Sequence, residues 1–436
     1  MKPFETVLKK LHDGGYEGYL VGGCVRDLML CQTPHDYDVA TNALPQEMLS
    51  VFKGERVIET GLKHGTITVL TGGEPIEVTT YRTESAYSDH RHPDSVSFTP
   101  SLYEDLARRD FTVNAMALSA NGTLIDPFGG QIDLKNRVIR CVGDPHERFS
   151  EDALRILRAL RFSSVLGFEI EEQTERAVRE LAQTLSYVSA ERTFSELKKL
   201  LVGQNAEKVL LENREVFSVI LPPLDAVYGF DQNNPHHCYT LDVHIFKVLS
   251  ACPPDVTLRF AALLHDVGKA YTESRDERGI SHFYGHAAKS VELAREMLLN
   301  LKCDRQTFND VLFLIAHHDA PPEETKEQVL KKLNRYGVRR YRMLIALRRA
   351  DSMGKPLKYH RTELYDRCEA FVNEILSECA CFSLHDLAIG GEEILALGVP
   401  PSKRVGEILE LLLSDVMAGK IPNDREALIR AAKGLL

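Results

Sequence analysis

The sequence predicts an α+β protein in which a mixed α/β head is followed by a long, all-helical region. Residues 1–140 contain short apolar and β-branched runs between turns, a pattern typical of strands. From about Ser150 the apolar residues recur at helical spacing, and β-branched runs become rare. This change of pattern indicates a domain boundary near residue 140.

Individual segments support this division. FETVLKKLHDGG predicts a helix closed by glycines, and the stretch 220–235, rich in Pro and Asn, predicts a break. Ser150, followed by the acids Glu151 and Asp152, predicts the start of a helix. Strands or strand ends are predicted at YLVGG, YDVAT, GTITVL, IEVTTYR and TVNAMAL. The predicted regions are a head (1–140), a helical neck (141–205), a helical body (206–360) and a helical tail (361–436).

The composition indicates a large cytoplasmic protein. At ~150 residues per domain, 436 residues correspond to about three domains, and 44% hydrophobic residues can bury a sizeable core. No apolar run approaches the ~20 residues of a membrane span. The N-terminus lacks a secretory pattern, and nine scattered cysteines favour a reducing compartment. We therefore expect a cytoplasmic location and no membrane partner.

The charge distribution is uneven. A net charge of −10 argues by itself against nucleic-acid binding, because such binding uses Lys and Arg to neutralise phosphates. Residues 326–361, however, carry twelve Lys or Arg and only two acids, Glu327 and Asp351. This run fits either a solvated helix face or a contact with an RNA backbone.

The segment YLVGGCVRDLMLCQTPHDYDVATN predicts a phosphate and metal site. Asp36 and Asp38, two residues apart on a predicted strand, point to one face and repel each other. A Mg²⁺ ion, which is typically held by carboxylates and substrate phosphates, would relieve this repulsion. Gly22 and Gly23 allow a triphosphate to approach the backbone, and Arg26 can reach its phosphates. Asp-x-Asp alone also fits a turn and a surface acid, but the full spacing is more specific.

Several motifs occur in order along residues 19–202, and together they carry a family resemblance. They are LVGGCVRDLML…DYDVATNA, EVTTYRTESAYSDHRHPDSVSF, DLARRDFTVNAMAL, EDALRILRALRFSSVLGF and ERTFSELKKLL. The series resembles the nucleotidyltransferase superfamily of DNA polymerase β, and within it the class II tRNA nucleotidyltransferases and bacterial poly(A) polymerases. The resemblance implies a polymerase-β-like head with a mixed sheet.

The resemblance also implies residue roles in the head. Asp36 and Asp38 would bind the catalytic Mg²⁺ ions, and Glu77 is a candidate third acidic group near them. Gly23 and Arg26 would contact the nucleoside triphosphate. Arg109 in RRDF would contact the nucleotide, and Asp110 would be structural or would hold that arginine.

The segment EDALRILRALRF indicates how the protein could select the nucleobase of its substrate. Asp152, Arg155, Arg158 and Arg161 recur every three residues, which fits i,i+3 salt bridges on a surface helix as well as a cleft border. A carboxylate beside a guanidinium matches the Watson–Crick edges of cytosine and adenine. Uracil and guanine would leave the carboxylate without a donor, at a cost of ~1–3 kcal/mol in binding free energy. The resemblance implies that Asp152 and Arg155 read the base and that Arg158 and Arg161 stack or position it.

A protein site that recognises cytosine and adenine fits the addition of C, C and A from CTP and ATP to the 3′ end of tRNA. The alternatives are A-only addition and poly(A) synthesis. Enzymes of this class that add only CC look shortened before RRDF, whereas this chain keeps the loop YSDHRHPDSVSF. The tail resembles the CCA type, and we expect the tail and the basic run to bind the acceptor and TΨC regions of tRNA.

A second cluster of candidate metal ligands lies in residues 236–351 and resembles the HD superfamily of phosphohydrolases. Imidazole and carboxylate ligands suit Mn, Ni, Co, Fe or Zn. The resemblance implies hydrolysis of 2′,3′-cyclic phosphates, and a degenerate remnant of the fold is the alternative. IAHHD supplies both His317 and His318, of which His317 is the predicted ligand. The full predicted set is His244, His265, Asp266, His286, His317 and Asp351.

Two other classes of function are compatible with parts of this sequence. In the first, the protein is a hydrolase whose HD region carries the main activity while the head only binds RNA. In the second, it is a non-enzymatic RNA-binding protein with an inactive nucleotidyltransferase fold. The complete series of head motifs, with both Asp36 and Asp38 present, favours an active transferase over both.

Overall fold

The computed structural model describes residues 2–84, 96–234, 238–378, 381, 384–417 and 419–436. Most of the predicted loop YSDHRHPDSVSF therefore lies outside the described residues. The chain divides into two compact units, Met1–Asp225 with Leu299–Cys303, and Ala226–Leu298 with Asp304–Leu436. In the part of the chain that is described, no helix has the length and apolar character needed to cross a membrane.

The first unit contains a seven-stranded mixed sheet. Its order is β3-β4-β5-β2-β1-β8-β9, with β2 and β5 parallel and the other neighbours antiparallel. The strands of this unit are β1 (Gly18–Val21), β2 (Asp38–Thr41), β3 (Arg56–Ile58), β4 (Thr66–Thr71), β5 (Glu74–Thr80), β6 (Arg82–Glu84), β7 (Val96–Phe98), β8 (Ala117–Ser119), β9 (Leu124–Ile125), β10 (Val138–Ile139) and β11 (Glu169–Ile170).

Helices cover this sheet and continue beyond it. One buried cluster joins Val21, Ala40 and Ala117 of the sheet to Tyr81 and Leu106. The helices of the unit are α1 (Pro3–Asp13), α2 (Gly23–Met29), α3 (Pro45–Val51), α4 (Leu102–Ala107), α5 (Gly130–Asn136), α6 (Pro145–Glu151), α7 (Leu154–Leu166), α8 (Glu172–Glu180), α9 (Ala190–Leu201), α10 (Ala206–Glu212) and α11 (Arg214–Ile220).

The sheet brings the ends of three strands together. Strand β1 stops at Val21, and Val21 pairs with Asp38, the first residue of β2. Asp38 in turn pairs with Glu77 of β5. Asp36 lies in the bend before β2, so the expectation that both aspartates belong to one strand is wrong.

A second difference concerns the helix predicted to start at Ser150. Helix α6 starts earlier, at Pro145, because Asp144 caps it and proline is favoured at the first helical position. Asp152 then leaves the helical conformation, with φ −141° and ψ 101°, and helix α7 starts at Leu154. The Asp152 carboxylate accepts the N–H of Leu154 at 3.1 Å, which accounts for a break between two helices at this aspartate.

The described residues of the second unit form helices and one hairpin, β12 (Ser274–Arg275) with β13 (Ser281–His282). Two buried clusters organise its later part, one around Tyr341 and Val372 and one around Ile408 and Leu428. Its helices are α12 (Leu241–Ala251), α13 (Val256–Leu264), α14 (Lys269–Thr272), α15 (His286–Asn300), α16 (Arg305–His317), α17 (Lys326–Tyr336), α18 (Val338–Met353), α19 (Thr362–Glu378), α20 (Gly391–Ala396), α21 (Lys403–Met417) and α22 (Arg425–Lys433).

The predicted α+β class, with a mixed sheet confined to the N-terminal head, is confirmed. Short 3₁₀ turns complete the connections, at Leu62–His64, Thr112–Asn114, Ala182–Tyr187, Pro222–Ala226, Leu357–Tyr359 and Leu384–Asp386. The finer division into head, neck, body and tail stays a prediction.

Candidate active site and candidate metal centre

A cavity of about 530 Å³ opens in the first unit where β1, β2 and α7 meet. Ten predicted site residues line it, namely Gly22, Gly23, Arg26, Asp36, Asp38, Arg109, Asp152, Arg155, Arg158 and Arg161. The sequence therefore located this cavity, since every residue predicted for nucleotide contact is part of its wall. Further lining residues are Arg82, Arg108, Asp110, Asn114 and Phe162.

The acidic wall of the cavity is suited to a divalent cation. Burial raises the pKa of Asp38 to about 6, and the negative charges of Asp36 and Glu77 act in the same direction, against Arg109. Glu77 does not line the cavity, but its position opposite Asp38 in the sheet explains its effect on that carboxyl. A carboxyl group placed close to two other carboxylates fits Mg²⁺, which would offset their mutual repulsion.

Gly22 separates the acidic wall from an arginine. Its φ of 75° is in the left-handed region, and a Cβ there would lie 3.1 Å from Arg109 Nη1 and 3.9 Å from Asp38 Oδ2. A side chain at Gly22 would therefore be strained and would crowd both groups. Arg109 is held in place by buried Asp105, whose Oδ2 accepts from Nη2 at 3.0 Å.

The arginines are held by partners across the chain. Arg26 Nη1 donates to Asn114 Oδ1 at 2.8 Å, and Arg158 Nε donates to Asp110 Oδ2 at 2.7 Å. Burial acts to raise the pKa of Asp110, but the guanidinium of Arg158, helped by Arg155 and Asn114, lowers it to about 2. Asp110 is thus an anion at neutral pH that orients Arg158, rather than the partner of Arg109 that the sequence suggested as one option.

The predicted base-reading pair, Asp152 and Arg155, lines the same cavity and is held by further partners. Asp152 accepts two N–H groups of Arg192, at 3.1 and 2.6 Å. Arg155, only 8% exposed, donates to the carbonyls of Arg148 and Arg108 at 3.2 and 3.1 Å. Both side chains are therefore fixed in orientation before any nucleotide arrives, which is the condition for selecting a base.

Two residues of α9 support helix α7, and roles for them were not predicted from the sequence. Glu196 Oε2 lies 2.5 Å from Arg161 Nε, and Arg161 stacks on Phe162 with its guanidinium carbon 3.8 Å from the ring centroid. Arg192, the partner of Asp152, is on the same helix. The motif ERTFSELKKLL contains both Arg192 and Glu196, one turn apart. This i,i+4 spacing places both side chains on one face of a helix, and it is the sequence pattern that indicates their shared supporting role.

The second unit holds a compact group of histidines and acids. His244 Nε2 lies 3.3 Å from Asp266 Oδ2 and 3.2 Å from Asp351 Oδ1, and His265 Nε2 lies 3.4 Å from Asp266 Oδ2. On the other carboxylate oxygen, His286 and His318 each place Nε2 3.4 Å from Asp266 Oδ1. Asp266 belongs to both sets of candidate ligands, which are His244, His265, Asp266 and Asp351, and Asp266, His286 and His318.

The backbone orients these imidazoles towards the carboxylates. The Nδ1 atoms of His244, His265, His286 and His318 lie 2.7–3.1 Å from main-chain carbonyl oxygens, which leaves each Nε2 facing inward. Among the described residues, the buried atoms His265 Nε2 and Asp266 Oδ1 make no well-oriented hydrogen bond. A metal ion would satisfy both, and the donor set suits a divalent transition ion.

The electrostatics of this centre also favour a cation. Burial acts to lower the pKa of His265, but the carboxylates of Asp266 and Asp351 raise it to about 9. Against burial, His265 and Lys269 hold the pKa of Asp266 well below the usual range, and His244, His265 and Lys355 do the same for Asp351. A positive charge, carried by a proton or by a metal ion, is therefore favoured between these groups.

The prediction that His317 is a ligand is wrong, and His318 takes that place. Successive helical residues are rotated by ~100°, so only one of two adjacent histidines can face the cluster. The ring of His317 instead stacks on Phe313 at 4.5 Å and contacts Tyr336 at 5.1 Å between centroids. The other five predicted ligands of this centre lie together.

Comparison with family models connects both units to one class of enzyme. Residues 18–140 match the poly A polymerase head domain, and residues 167–228 match the family described as "Probable RNA and SrmB- binding site of polymerase A". Residues 275–432 match domain 2 of tRNA nucleotidyltransferases. With the acidic, arginine-lined cavity of the head, these matches define a nucleotidyltransferase.

Full-length relatives make the assignment narrower. The chain is 34% identical over 433 residues to the CCA-adding enzyme of Streptococcus agalactiae, covering 99% of this chain and 96% of the relative. For the CCA-adding enzyme of Ligilactobacillus salivarius the identity is 32% over 441 residues, covering 99% and 95%. The protein therefore belongs to the CCA-adding enzymes, the class II tRNA nucleotidyltransferases, as the order of its motifs predicted.

Solved structures agree with this assignment. The crystal structure of the Bacillus stearothermophilus CCA-adding enzyme in complex with CTP matches with a TM-score of 0.68 and 30% identity, covering 100% of this chain and 98% of that one. The Thermotoga maritima CCA-adding enzyme complexed with tRNA_CCA has a TM-score of 0.53 and 23% identity, covering 99% and 95%. The match to the Thermotoga maritima enzyme, at 23% identity, shows a shared fold.

Proposed function

We propose that this enzyme adds C, C and A stepwise to the 3′ end of tRNA, using CTP and ATP and no nucleic-acid template. The observation that carries the proposal is that one cavity is lined by Asp36 and Asp38 and also by the pair Asp152 and Arg155. The first pair suits phosphoryl chemistry, and the second suits recognition of a base. Relatives named CCA-adding enzymes along nearly the whole chain support the same reaction.

Different residues of the cavity bind the triphosphate and the metal ions. Arg26 and Arg109 bind the triphosphate, and Gly22 leaves room for it beside Asp38. The 3′ hydroxyl of tRNA attacks the α-phosphorus, the bond to the bridging oxygen of the β-phosphate breaks, and pyrophosphate leaves. Mg²⁺ ions held by Asp36 and Asp38, with Glu77 near them, would supply charge neutralisation and a lowered pKa for the attacking hydroxyl. The proton of that hydroxyl passes to water.

Base selection rests on Asp152 and Arg155. Asp152 accepts from the exocyclic amino group of cytosine or adenine, and each of its oxygens keeps lone-pair capacity beyond the bond to Arg192. Arg155 donates to the ring acceptors of the same edge. Uracil and guanine present an acceptor where Asp152 needs a donor, at a cost of ~1–3 kcal/mol. Arg161, stacked on Phe162, supports the wall of this pocket.

The proposal is tested by incubating the purified protein with Mg²⁺, single nucleotides and tRNA lacking CCA. We expect CTP to add two residues to bare tRNA and ATP to add one residue to tRNA ending in CC. Use of ATP alone, on tRNA ending in CC, would identify an A-adding enzyme instead. A long A tract would identify a poly(A) polymerase, the third alternative.

We propose a second activity for the histidine and aspartate centre, the metal-dependent hydrolysis of 2′,3′-cyclic phosphates. The supporting observation is the set of inward-facing Nε2 atoms around Asp266 and Asp351, beside Lys269 and Lys355. Water adds to the phosphorus, one ribose oxygen–phosphorus bond breaks, and that oxygen takes up a proton to give a phosphomonoester. Bound divalent ions would lower the pKa of the attacking water.

This second proposal is tested by metal analysis and hydrolysis assays. We expect the wild-type protein to hold a transition metal and the double variant His265→Ala with Asp266→Ala to lose both metal and hydrolysis. The variant His317→Ala is the matched control, because that ring lies outside the cluster. Equal metal contents in wild type and double variant would refute the centre.

A further inference from the structure

A pair of stacked aromatic rings lies at the lip of the histidine and aspartate centre. The cavity that reaches this centre has a volume of about 300 Å³, and its wall includes His282, Tyr284, Lys269 and Lys355. Tyr284 exposes 78% of its surface, although it is a large aromatic residue. Its ring lies parallel to that of His282, with centroids 5.5 Å apart and 7° between the planes.

The backbone holds these rings close to the candidate ligands. His282 ends strand β13, where Ser281 N–H donates to the carbonyl of Asn233 at 3.1 Å and Ser281 Oγ donates to Glu273 Oε1 at 2.6 Å. On the other side, His286 Nδ1 lies 2.9 Å from the carbonyl of Phe283. Tyr284 is therefore anchored on both sides and stands two residues before a candidate ligand, at most ~7 Å along the chain.

Gly285 explains why Tyr284 faces out of the fold. Its φ of 77° is in the left-handed region, so the chain turns sharply between Tyr284 and the first residue of α15. The neighbouring Phe283 is directed towards the protein, with Phe230 at 6.1 Å and Lys269 Nζ at 5.7 Å from its ring. One aromatic residue of this segment thus serves packing, and the other presents its face at the cavity.

The wall of the cavity also carries positive charge beside the candidate ligands. Lys269 Nζ lies 2.6 Å from Asp266 Oδ2, and Lys355 Nζ lies 2.7 Å from Asp351 Oδ2. Ammonium groups in this position suit a phosphate, and aromatic faces suit a nucleobase of any identity. The volume is at the lower end of the range for small-molecule sites, which fits one nucleotide rather than a longer strand.

We propose that Tyr284, stacked on His282, is the nucleobase platform of this centre and sets its specificity for phosphates that carry a base. The inference rests on the proposed hydrolase and names its substrate class. The base stacks on Tyr284, and the phosphate lies between Lys269, Lys355 and the candidate ligands. The same chemistry is offered by the terminal nucleotide of an RNA and by a free mononucleotide, so the substrates tested must include both.

The kinetic test uses the full chain and three substrates. These are adenosine 2′,3′-cyclic phosphate, an RNA ending in a 2′,3′-cyclic phosphate, and ribose 2′,3′-cyclic phosphate without a base. We expect Tyr284→Ala to raise KM for the two base-carrying substrates by ~5- to 100-fold, the range for one lost base–aromatic stack. We expect little change in kcat and no change for the base-free ester. Tyr284→Phe, which keeps the ring, should restore KM.

A second measurement does not depend on hydrolysis. RNA with a terminal 4-thiouridine and a mononucleotide carrying the same base are photo-cross-linked to the full chain, and the attachment point is mapped. We expect cross-links at Tyr284 that are lost in Tyr284→Ala but kept in Tyr187→Ala, a control at another exposed tyrosine. If the centre does not hydrolyse phosphates but still cross-links, the platform stands and only the hydrolase proposal fails.

Two results would overturn the inference. One is a KM for base-carrying substrates that stays within twofold of wild type in Tyr284→Ala. The other is cross-linking of the wild-type protein that avoids His282–Gly285 altogether. A preference for the RNA or for the mononucleotide, with Tyr284 required in either case, supports the platform and identifies the source of its ligand.

Discussion

The two candidate centres gather acidic residues in different ways. In the head, Asp36 and Glu77 are exposed, and the cavity of about 530 Å³ is lined mainly by arginines and aspartates. In the second unit, His265 and Asp266 are 0% and 2% exposed and are enclosed by further imidazoles. The head supplies too few ligands to complete a metal shell, whereas the second centre offers a nearly complete one.

This difference separates two uses of a metal ion. The exposed Asp36 and the half-buried Asp38 need the phosphates of a nucleotide to finish the coordination, so we expect their ion to arrive and leave with the substrate. A buried set of imidazoles with fixed Nδ1 bonds is preorganised, and we expect its ion to stay with the protein between reactions. The open site suits a polymerising reaction with repeated exchange of substrate and product.

The largest expected effect is a separation of the two activities. Asp36→Ala or Asp38→Ala should lower nucleotide addition by at least ~1000-fold, because an ion at this site supplies several kcal/mol to the transition state. Hydrolysis of 2′,3′-cyclic phosphates should stay within about twofold of wild type. Both rates are measured on one preparation, with Asp13→Ala, an exposed acid of α1, as the control. Loss of both activities together would contradict independent centres.

The second prediction concerns metal retention. After dialysis against a mild chelator, we expect the wild-type protein to keep its transition metal and the variant His318→Ala to lose most of it. His317→Ala should retain the wild-type content, because its ring packs on Phe313 and Tyr336. Metal content is measured by mass spectrometry, with circular dichroism to confirm that the variants are folded. Loss of metal in His317→Ala but not in His318→Ala would reverse our assignment.

The histidine pair also shows which parts of the sites could be predicted from the sequence. Asp36, Asp38 and the glycines before them were found because they belong to one short segment with a strict spacing. The choice between His317 and His318 depends on the rotation of α16 in the fold, and spacing alone does not determine it. Local patterns identified the chemistry, while tertiary packing determined which neighbour takes part.

The same limit applies to the base-reading region. Asp152 and Arg155 were recognised from their motif, but the partner Arg192 is forty residues away along the chain. No local rule connects positions at that separation. The break of the helix at Asp152 was also not predicted, because the pattern EDALRILRALRF is continuous while the aspartate leaves the helical conformation.

The third prediction tests whether Arg192 positions Asp152. Arg192→Ala should leave Asp152 without its two charge-assisted hydrogen bonds, so discrimination of CTP and ATP against UTP and GTP should fall by about thirtyfold, near the middle of the ~1–3 kcal/mol range. The measurement is kcat/KM for the four nucleotides. Lys198→Ala, on the same helix, is the control. Unchanged ratios with a lower overall rate would indicate that Arg192 only stabilises the fold.

The smallest expected effect is a pH dependence that distinguishes the carboxylates of the head from those paired with histidine. The pKa of buried Asp110 is lowered from 3.8 to about 2, mainly by Arg158 working against burial. A carboxyl with a depressed pKa stabilises the fold above its unfolded pKa, so its contribution of about 2 kcal/mol should be lost as the pH falls from about 4 to about 2.

Asp110→Asn removes this titration while keeping the shape of the side chain. We expect the variant to be less stable than wild type at pH 7 and the difference to shrink between pH 4 and pH 2. Hydrogen exchange of the α7 amides, corrected for intrinsic rates, reports the local free energy of opening beside Arg158. A difference that stays constant down to pH 2 would mean that Asp110 is not ionised against Arg158. In that case the head would hold this acid neutral, whereas Asp266 and Asp351 of the second unit have pKa values well below the usual range and are ionised.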